Sequence, residues 1–338
     1  MSGQEDLYPW LVADVGGSNA RFGWVASPGA PVTAQRSLAV QDFPSLEAAA
    51  CSYLLALEVD CREQGLPFRA PRHAAVAVAT AVAGDEVVLT NSHWRFSQQG
   101  LRAALQLRGL RVLNDFEALA LSLPRLRPEQ VRAWGGLAPV AAGCMAVIGP
   151  GTGLGVAAVV QTEQGWLALP GEGGHATLAP ADDFESALLA HVRGRYAHVS
   201  AERLLSGIGL PILHEAVVAV LGGSALPAPL APEHIVERGL TGLDPLCERS
   251  LDCFCAMLGG FAGSVALTLG ARGGVYVGGG IVPRLGDYFF KSRFRERFEA
   301  KGRFQSYLAG IPTVLITDTL AAMGGVALAI EQSIPDAS

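Results

Sequence analysis

The chain has 338 residues, half of them hydrophobic and only 17% charged, which suits about two folded domains and argues against a disordered chain. Its 25 Lys+Arg against 31 Asp+Glu leave a formal charge of −6, so no global electrostatic pull toward nucleic acid or an anionic membrane is expected. The six cysteines (Cys51, Cys61, Cys144, Cys247, Cys253 and Cys255) offer no two doublets for a four-ligand zinc site, and free thiols in a cytoplasmic protein fit them best.

In chain order, Met1 to Asp6 is acidic and lacks the basic region and apolar core of a secretory signal, which again points to the cytoplasm. Leu11 to Val15 reads as an apolar strand, followed by a Gly-rich turn and a second strand-like run to Val25. A helix is expected from Ser45 to Gln64 and a strand from Ala74 to Thr80. Arg111-Val112-Leu113 reads as a strand that passes through the polar corner Asn114-Asp115 into a helix. Ala146 to Val160 then repeats the opening form of strand, glycine turn and strand. Two glycine-tipped hairpins, each early in its half, predict a duplicated α/β unit, with a ligand between the halves.

Further on, residues 221 to 232 read as a loop. Cys253 to Ala271 carries no charge and is just long enough to span a bilayer, but its four glycines and charged approach predict a buried helix. Within it, Cys253-Phe-Cys255 supplies two thiolates, two ligands short of tetrahedral zinc, so buried small hydrophobes are expected there. Gly274 to Val277 is a strand ending in Gly278-Gly279-Gly280, and Leu308 to Ile330 a strand with a closing helix.

The chain's lysines are Lys291 and Lys301, so a Walker A loop is excluded up to residue 290. A dinucleotide fingerprint fares little better: Gly153-Leu154-Gly155 has the glycines, but a strand follows them where that motif needs a helix. The first turn has the chemistry of a phosphate cradle. Gly16 and Gly17 leave backbone N–H groups open to an anion, and Ser18 and Asn19 add donors. Asp14 could hold Mg²⁺ directly or through water, or it could simply pair with Arg21. Gly151-Thr152-Gly153-Leu154-Gly155 has the same logic. Gly278-Gly279-Gly280 could admit a flat ring against bare backbone, or only allow tight packing.

Asn114-Asp115 stands where ligands gather in α/β sheets: an aspartate there can take a proton from a substrate hydroxyl while the neighbouring amide orients it. The pair could equally be a helix cap. Pro170-Gly171-Glu172-Gly173-Gly174-His175 keeps a carboxylate and an imidazole in a loop that needs neither for its bend, which suits recognition of adjacent hydroxyls. Glu202 is either a first-turn carboxylate or a further hydroxyl partner.

With Asp14 to Arg21, Thr90-Asn91 with Trp94, Leu113 to Phe116, Gly151 to Gly155, Pro170 to His175, Val199 to Gly207 and Gly278 to Gly280 in this order, the chain resembles bacterial glucokinases without structural zinc. These belong to the hexokinase-like, actin-fold ATPase superfamily. The resemblance implies an actin-like/RNase H-like α/β fold of two domains with a cleft between them. A small domain of residues 8–115 with 318–338 and a large one of 116–317 follow from it. It also implies ATP-dependent phosphorylation of glucose at the 6-hydroxyl with Mg²⁺ and no zinc, Asp115 as general base, and Asn91, Asn114, Glu172, His175 and Glu202 at the sugar. The first phosphate loop would be Ala13, Asp14, Val15, Gly16, Gly17, Ser18 and Asn19, the second Gly151, Thr152, Gly153 and Gly155, with Gly278, Gly279 and Gly280 at the nucleotide. A homodimer is implied as well, with no nucleic-acid or membrane partner.

Two departures stand out: Ser18 replaces a threonine common in relatives and keeps its hydroxyl, and Ile208 replaces a proline. A kinase for another hexose is the nearest alternative. A sugar-sensing regulator would need a DNA-binding element that the residues before Leu11 cannot hold, and a chaperone-type or cell-shape ATPase would not need the loop from Gly171 to His175.

Overall fold

In the computed structural model, which describes residues 7–223 and 228–334, the chain divides into two compact units. The first takes the chain to Leu126, the segment Thr162–Ala168 and the stretch from Asp318; the second takes Arg127–Gln161 and Leu169–Thr317. The acidic segment Met1 to Asp6, the middle of the expected loop at 221 to 232 and residues 335–338 lie outside the described residues.

The first unit holds β1 (Trp10–Val15), β2 (Asn19–Val25), β3 (Thr33–Ala39), β4 (His73–Val78), the short β5 (Glu86–Val88) and β6 (Arg95–Ser97), and β7 (Gly109–Asn114). Five of these form one sheet in the order β3-β2-β1-β4-β7. β1 pairs antiparallel with β2 and parallel with β4, and β4 pairs parallel with β7. β1 is buried at every position but Asp14, the pattern of a central strand covered on both faces. The helix Leu46–Glu63 starts where Ser45 accepts the Ala48 N–H at 3.2 Å, with Glu47 in its first turn and Arg62 in its last, each of the sign the helix dipole favours.

The second sheet is built from β8 (Val131–Trp134), β9 (Met145–Pro150), β10 (Leu154–Thr162), β11 (Gly165–Gly171), β12 (Gly274–Val277) and β13 (Thr313–Ile316), all in the second unit apart from the part of the β10–β11 hairpin in Thr162–Ala168. Their order is β11-β10-β9-β12-β13-β8, with β9 antiparallel to β10 and parallel to β12. Without β8, this is the wiring of the first sheet strand for strand, so the repeated hairpin seen in sequence is the visible part of a duplicated unit. β8, which no apolar run in the sequence announces, adds an antiparallel edge against β13.

The boundary expected after residue 115 cuts the helix Asp115–Ser122 behind its first residue. In the structure that helix stays with the first unit, where it packs against the C-terminal helix Ala321–Ser333 so closely that a Cβ on Gly325 would collide with the Ala118 carbonyl.

The uncharged run from Cys253 is part of a core helix, Pro245–Leu269, capped by Asp244, begun by proline and ended by Gly270 at φ +60°. It is long and apolar enough to cross a membrane, yet Phe254, Cys255 and Leu258 are fully buried within the second unit. Burial pushes the Cys253 thiol up to about 11 and that of Cys255 to about 12, so both stay protonated and pack as small hydrophobes.

The same helix meets the helix Phe294–Glu299 at its glycines. A Cβ on Gly259 would overlap the Phe294 carbonyl, whereas one on Gly260 would meet nothing within 4 Å. Alanine normally favours a helix over glycine by up to about 1 kcal/mol. Gly259→Ala is therefore expected to lower stability by about 2 kcal/mol or more through forced separation of the helices, and Gly260→Ala to leave it unchanged or raise it, as read from denaturant midpoints. Equal effects at the two positions would remove the close-approach explanation.

Candidate active site

The first unit gathers its carboxylates through parallel pairing. Val15 lies beside Val78, and Val78 beside Asn114, so the ends of β1, β4 and β7 are level and the residues that leave them are neighbours. Asn114 caps the helix Asp115–Ser122, its Oδ1 accepting the Phe116 N–H at 2.9 Å, and its Nδ2 donates to the Thr80 carbonyl at 3.2 Å. The cap role of Asn114 is thus realised in the structure, and one Nδ2 proton remains for a ligand. Thr80, which carries no sequence signal of its own, joins the corner here; its hydroxyl pairs with that of Thr90 at 3.2 Å.

Asp115 follows as the first helical residue. Burial pushes its carboxyl up to about 6, and the charge of Asp14 adds to the rise, while the Phe116 N–H, 2.9 Å from Asp115 Oδ1, opposes it. Asp14 is also raised by burial, against the pull of the Arg21 guanidinium, 3.1 Å from Asp14 Oδ2. The expected alternative of a plain Asp14–Arg21 pair is therefore present. It leaves Asp14 Oδ1 without a hydrogen bond among the described residues. A raised carboxylate pair, one member of which spends a single oxygen on a guanidinium and leaves the other open, suits a hard cation that takes one or two carboxylates and completes its shell with phosphate and water. The residues fit Mg²⁺ in that mode.

In the first glycine turn the structure corrects one expectation. The Gly16 N–H is not free for an anion: it closes the turn on the Asn19 carbonyl at 2.9 Å. Ala13 and Val15 are fully buried, so any phosphate contact there falls to backbone, and Gly17, Ser18 and Asn19 are the donors left at the surface. Gly17 carries no Cβ because Asn91 lies on it; a Cβ would stand 2.6 Å from the Asn91 carbonyl. The Asn91 side chain is exposed on a loop anchored by Trp94, which is buried and donates to the Phe43 carbonyl at 3.0 Å.

In the second unit the turn from Gly151 to Gly155 joins β9 to β10. The Gly151 N–H is likewise consumed, by the Gly153 carbonyl at 2.8 Å, and Thr152 stands exposed at the tip. The expected loop from Pro170 to His175 is the end of β11 followed by a short 3-10 turn, Gly173–His175. Glu172 and His175 are exposed on it, and Gly174 is pressed against the Leu154 carbonyl. Glu202 lies in the one-turn helix Ala201–Leu204, capped by Ser200. Its Oε2 accepts the Leu154 N–H at 2.9 Å and its Oε1 is 3.7 Å from His175 Nε2, so one carboxylate joins the two motifs.

Of the third glycine cluster, Gly279 at φ +78° is packed on the Pro150 carbonyl, while Gly280 faces open space. Packing explains the first; room for a ring remains only beside the second.

A duplicated α/β sheet, with a glycine-tipped hairpin in each copy and a raised aspartate at a strand-to-helix corner of the first, is the architecture of the actin-like ATPase fold. Comparison with known proteins is specific. The family model described as Glucokinase matches residues 11–333. The chain is 49% identical over 326 residues to a glucokinase of Chromobacterium violaceum, covering 96% of this chain and 90% of that one. It is 48% identical over 333 residues to a glucokinase of Aromatoleum aromaticum, with 98% of each covered. A crystal structure of glucokinase from an Antarctic psychrotroph superposes with a TM-score of 0.87 at 35% identity, over 96% of this chain and 98% of that one. The chain belongs to the glucokinase family, the transferases that phosphorylate glucose with ATP.

The position of Asp115 carries a stability cost with a defined sign. The folded chain holds this proton until about pH 6 and an unfolded aspartate releases it near 3.8, so stability present below 3.8 is lost as pH rises through 6. The loss is on the order of 2–3 kcal/mol. Asp115→Asn is expected to melt above the wild type at pH 7.5, with the gain fading toward pH 4. A gain independent of pH would overturn the assignment.

Proposed function

We propose that this chain transfers the γ-phosphoryl group of ATP to the 6-hydroxyl of glucose, with Asp115 as general base. The observation that carries the reading is Asp115 itself, a buried carboxylate raised to about 6 at the helix start that Asn114 caps. Ionised above that pH, it is a stronger proton acceptor than an ordinary aspartate. It accepts the hydroxyl proton as the oxygen attacks phosphorus and the bond to the ADP oxygen breaks, and its main contribution is to align that oxygen for in-line transfer. The remaining Asn114 Nδ2 proton donates to the same sugar.

Glu172, His175 and Glu202 bind further hydroxyls, as does Asn91 from the first unit. A site built from such acceptors and donors rejects analogues that lack the hydroxyls, because its own polar groups are then left unpaired. Gly17, Ser18 and Asn19, with Thr152, Gly153 and Gly155, take the phosphates through N–H and hydroxyl donors. Gly280, which faces open space, leaves room for the nucleoside. Asp14 holds Mg²⁺, directly or through water, and the ion when bound neutralises phosphate charge. We further read the chain as a cytoplasmic homodimer, on the resemblance alone; light scattering at twice the mass of one chain is the expected result.

ADP release with Mg·ATP against a panel of hexoses, amino sugars and a no-sugar blank tests the substrate. Glucose should stimulate release far above the rest and yield the 6-phosphate. A different preferred sugar would keep the mechanism and move the substrate, and no sugar-dependent release would remove the reading. Asp115→Asn should still bind glucose while kcat falls by about 10²-fold to 10⁴-fold.

A further inference from the structure

We propose that Glu202 couples sugar binding to nucleotide binding, by holding the second phosphate turn with one carboxylate oxygen and facing the sugar-recognition turn with the other. The inference rests on the preceding reading of both turns as ligand sites. It adds that they are one mechanical unit.

The turn is gripped at both ends by one short stretch of chain. At its far end the Leu154 N–H donates to Glu202 Oε2 at 2.9 Å, and at its near end the Gly151 carbonyl accepts from the Gly207 N–H at 2.7 Å. Gly153 has no side chain because Glu202 Oε2 occupies the space its Cβ would need. The other side of the same stretch is bound to the sugar-recognition turn. The Ala201 N–H donates to the Ala176 carbonyl at 2.9 Å, the Leu178 N–H donates to the Val199 carbonyl at 3.0 Å, and Glu202 Oε1 is 3.7 Å from His175 Nε2. Only 24% of the Glu202 side chain is exposed, so its carboxylate has few other positions to take.

A hydrogen bond to an ionised carboxylate is among the stronger ones in a protein, and its geometry is set by the rotamer. A sugar hydroxyl donating to Glu202 fixes that rotamer and with it the Leu154 N–H bond. The phosphate turn is then ordered before nucleotide arrives, and the ordering cost is met once for two ligands. Linkage requires the reverse effect to be equal: nucleotide that orders the turn must raise sugar affinity by the same factor.

Calorimetric titration of glucose and of a non-hydrolysable ATP analogue with Mg²⁺, each alone and in the presence of the other, tests this. In the wild type each ligand should tighten the other by the same factor, about fivefold or more. Gly153→Ala, a change in the phosphate turn, should weaken glucose binding with no nucleotide present, and Glu202→Gln should weaken the analogue with no sugar present. In both variants the mutual tightening should fall toward a factor of one.

If Gly153→Ala alters only nucleotide binding and Glu202→Gln only sugar binding, the two turns are independent and the coupling is wrong. A wild type in which each ligand leaves the other's affinity unchanged would overturn it equally. A wild type that binds no glucose under any condition would instead overturn the underlying substrate reading. Should Gly153→Ala fail to fold, Glu202→Gln decides alone, since it keeps the side chain's size while removing its charge and turning one acceptor oxygen into an NH2 donor.

Discussion

The burial of Asp115 beside Asp14 is the constraint around which the first unit is built. Two carboxylates removed from water in proximity oppose each other's ionisation, and a fold keeps such a pair only by fixing their carriers elsewhere. Here the carriers are β1 and β7, both parallel to β4 and level with it at their ends. The corner is held by neutral groups: the Asn114 amide spans the Phe116 N–H and the Thr80 carbonyl, and the helix that follows is clamped to Ala321–Ser333 by the close approach at Gly325. The guanidinium of Arg21 engages a single oxygen of Asp14. Charge compensation is thus left incomplete, with Asp14 Oδ1 free of hydrogen bonds among the described residues.

The second unit solves the same problem with the same topology and different chemistry. β9 and β12 run parallel, with Val277 beside Ile148, so the turn from Gly151 and the glycines from Gly278 emerge at one end of that sheet. In place of a pair of carboxylates raised by desolvation there is one carboxylate, Glu202, tied to backbone. Desolvation raises the first unit's Asp115. Glu202, bonded to a backbone N–H and still reached by solvent, is suited to accept hydrogen bonds.

Much of this is legible in the sequence because it is local. A continuous apolar strand broken by glycines, a serine before a helix, a proline and an aspartate opening the helix from Pro245: each is a few residues long and its physics is short-ranged. The candidate residues Asp14, Asn114 and Asp115 are visible for the same reason. What escapes is what depends on residues distant in sequence. Nothing near Glu202 announces that its partner is the Leu154 N–H, 48 positions away. Nor does the glycine-rich composition of the turns reveal that Gly16 and Gly151 use their N–H groups to close those turns. A glycine in sequence states that a side chain is missing. Whether the space stays open, as at Gly280, or belongs to another part of the chain, as at Gly153, Gly174 and Gly279, is decided by the tertiary fold.

That distinction separates two kinds of glycine with different roles in the enzyme. Gly259 and Gly325 let helices approach until backbone meets backbone, which makes each unit stiff. The candidate recognition groups are arranged oppositely: Ser18, Asn19, Thr152, Glu172 and His175 are all exposed, with side chains whose rotamer freedom a ligand would have to take. Their ordering then opposes binding, and affinity depends on how few of them must be ordered anew for each ligand. Under the proposed coupling, a carboxylate set between two turns, as Glu202 is, would lower that cost by serving two ligands at once. The stiff framework is what makes such an arrangement effective, because a turn anchored to a soft scaffold would relax and lose the connection.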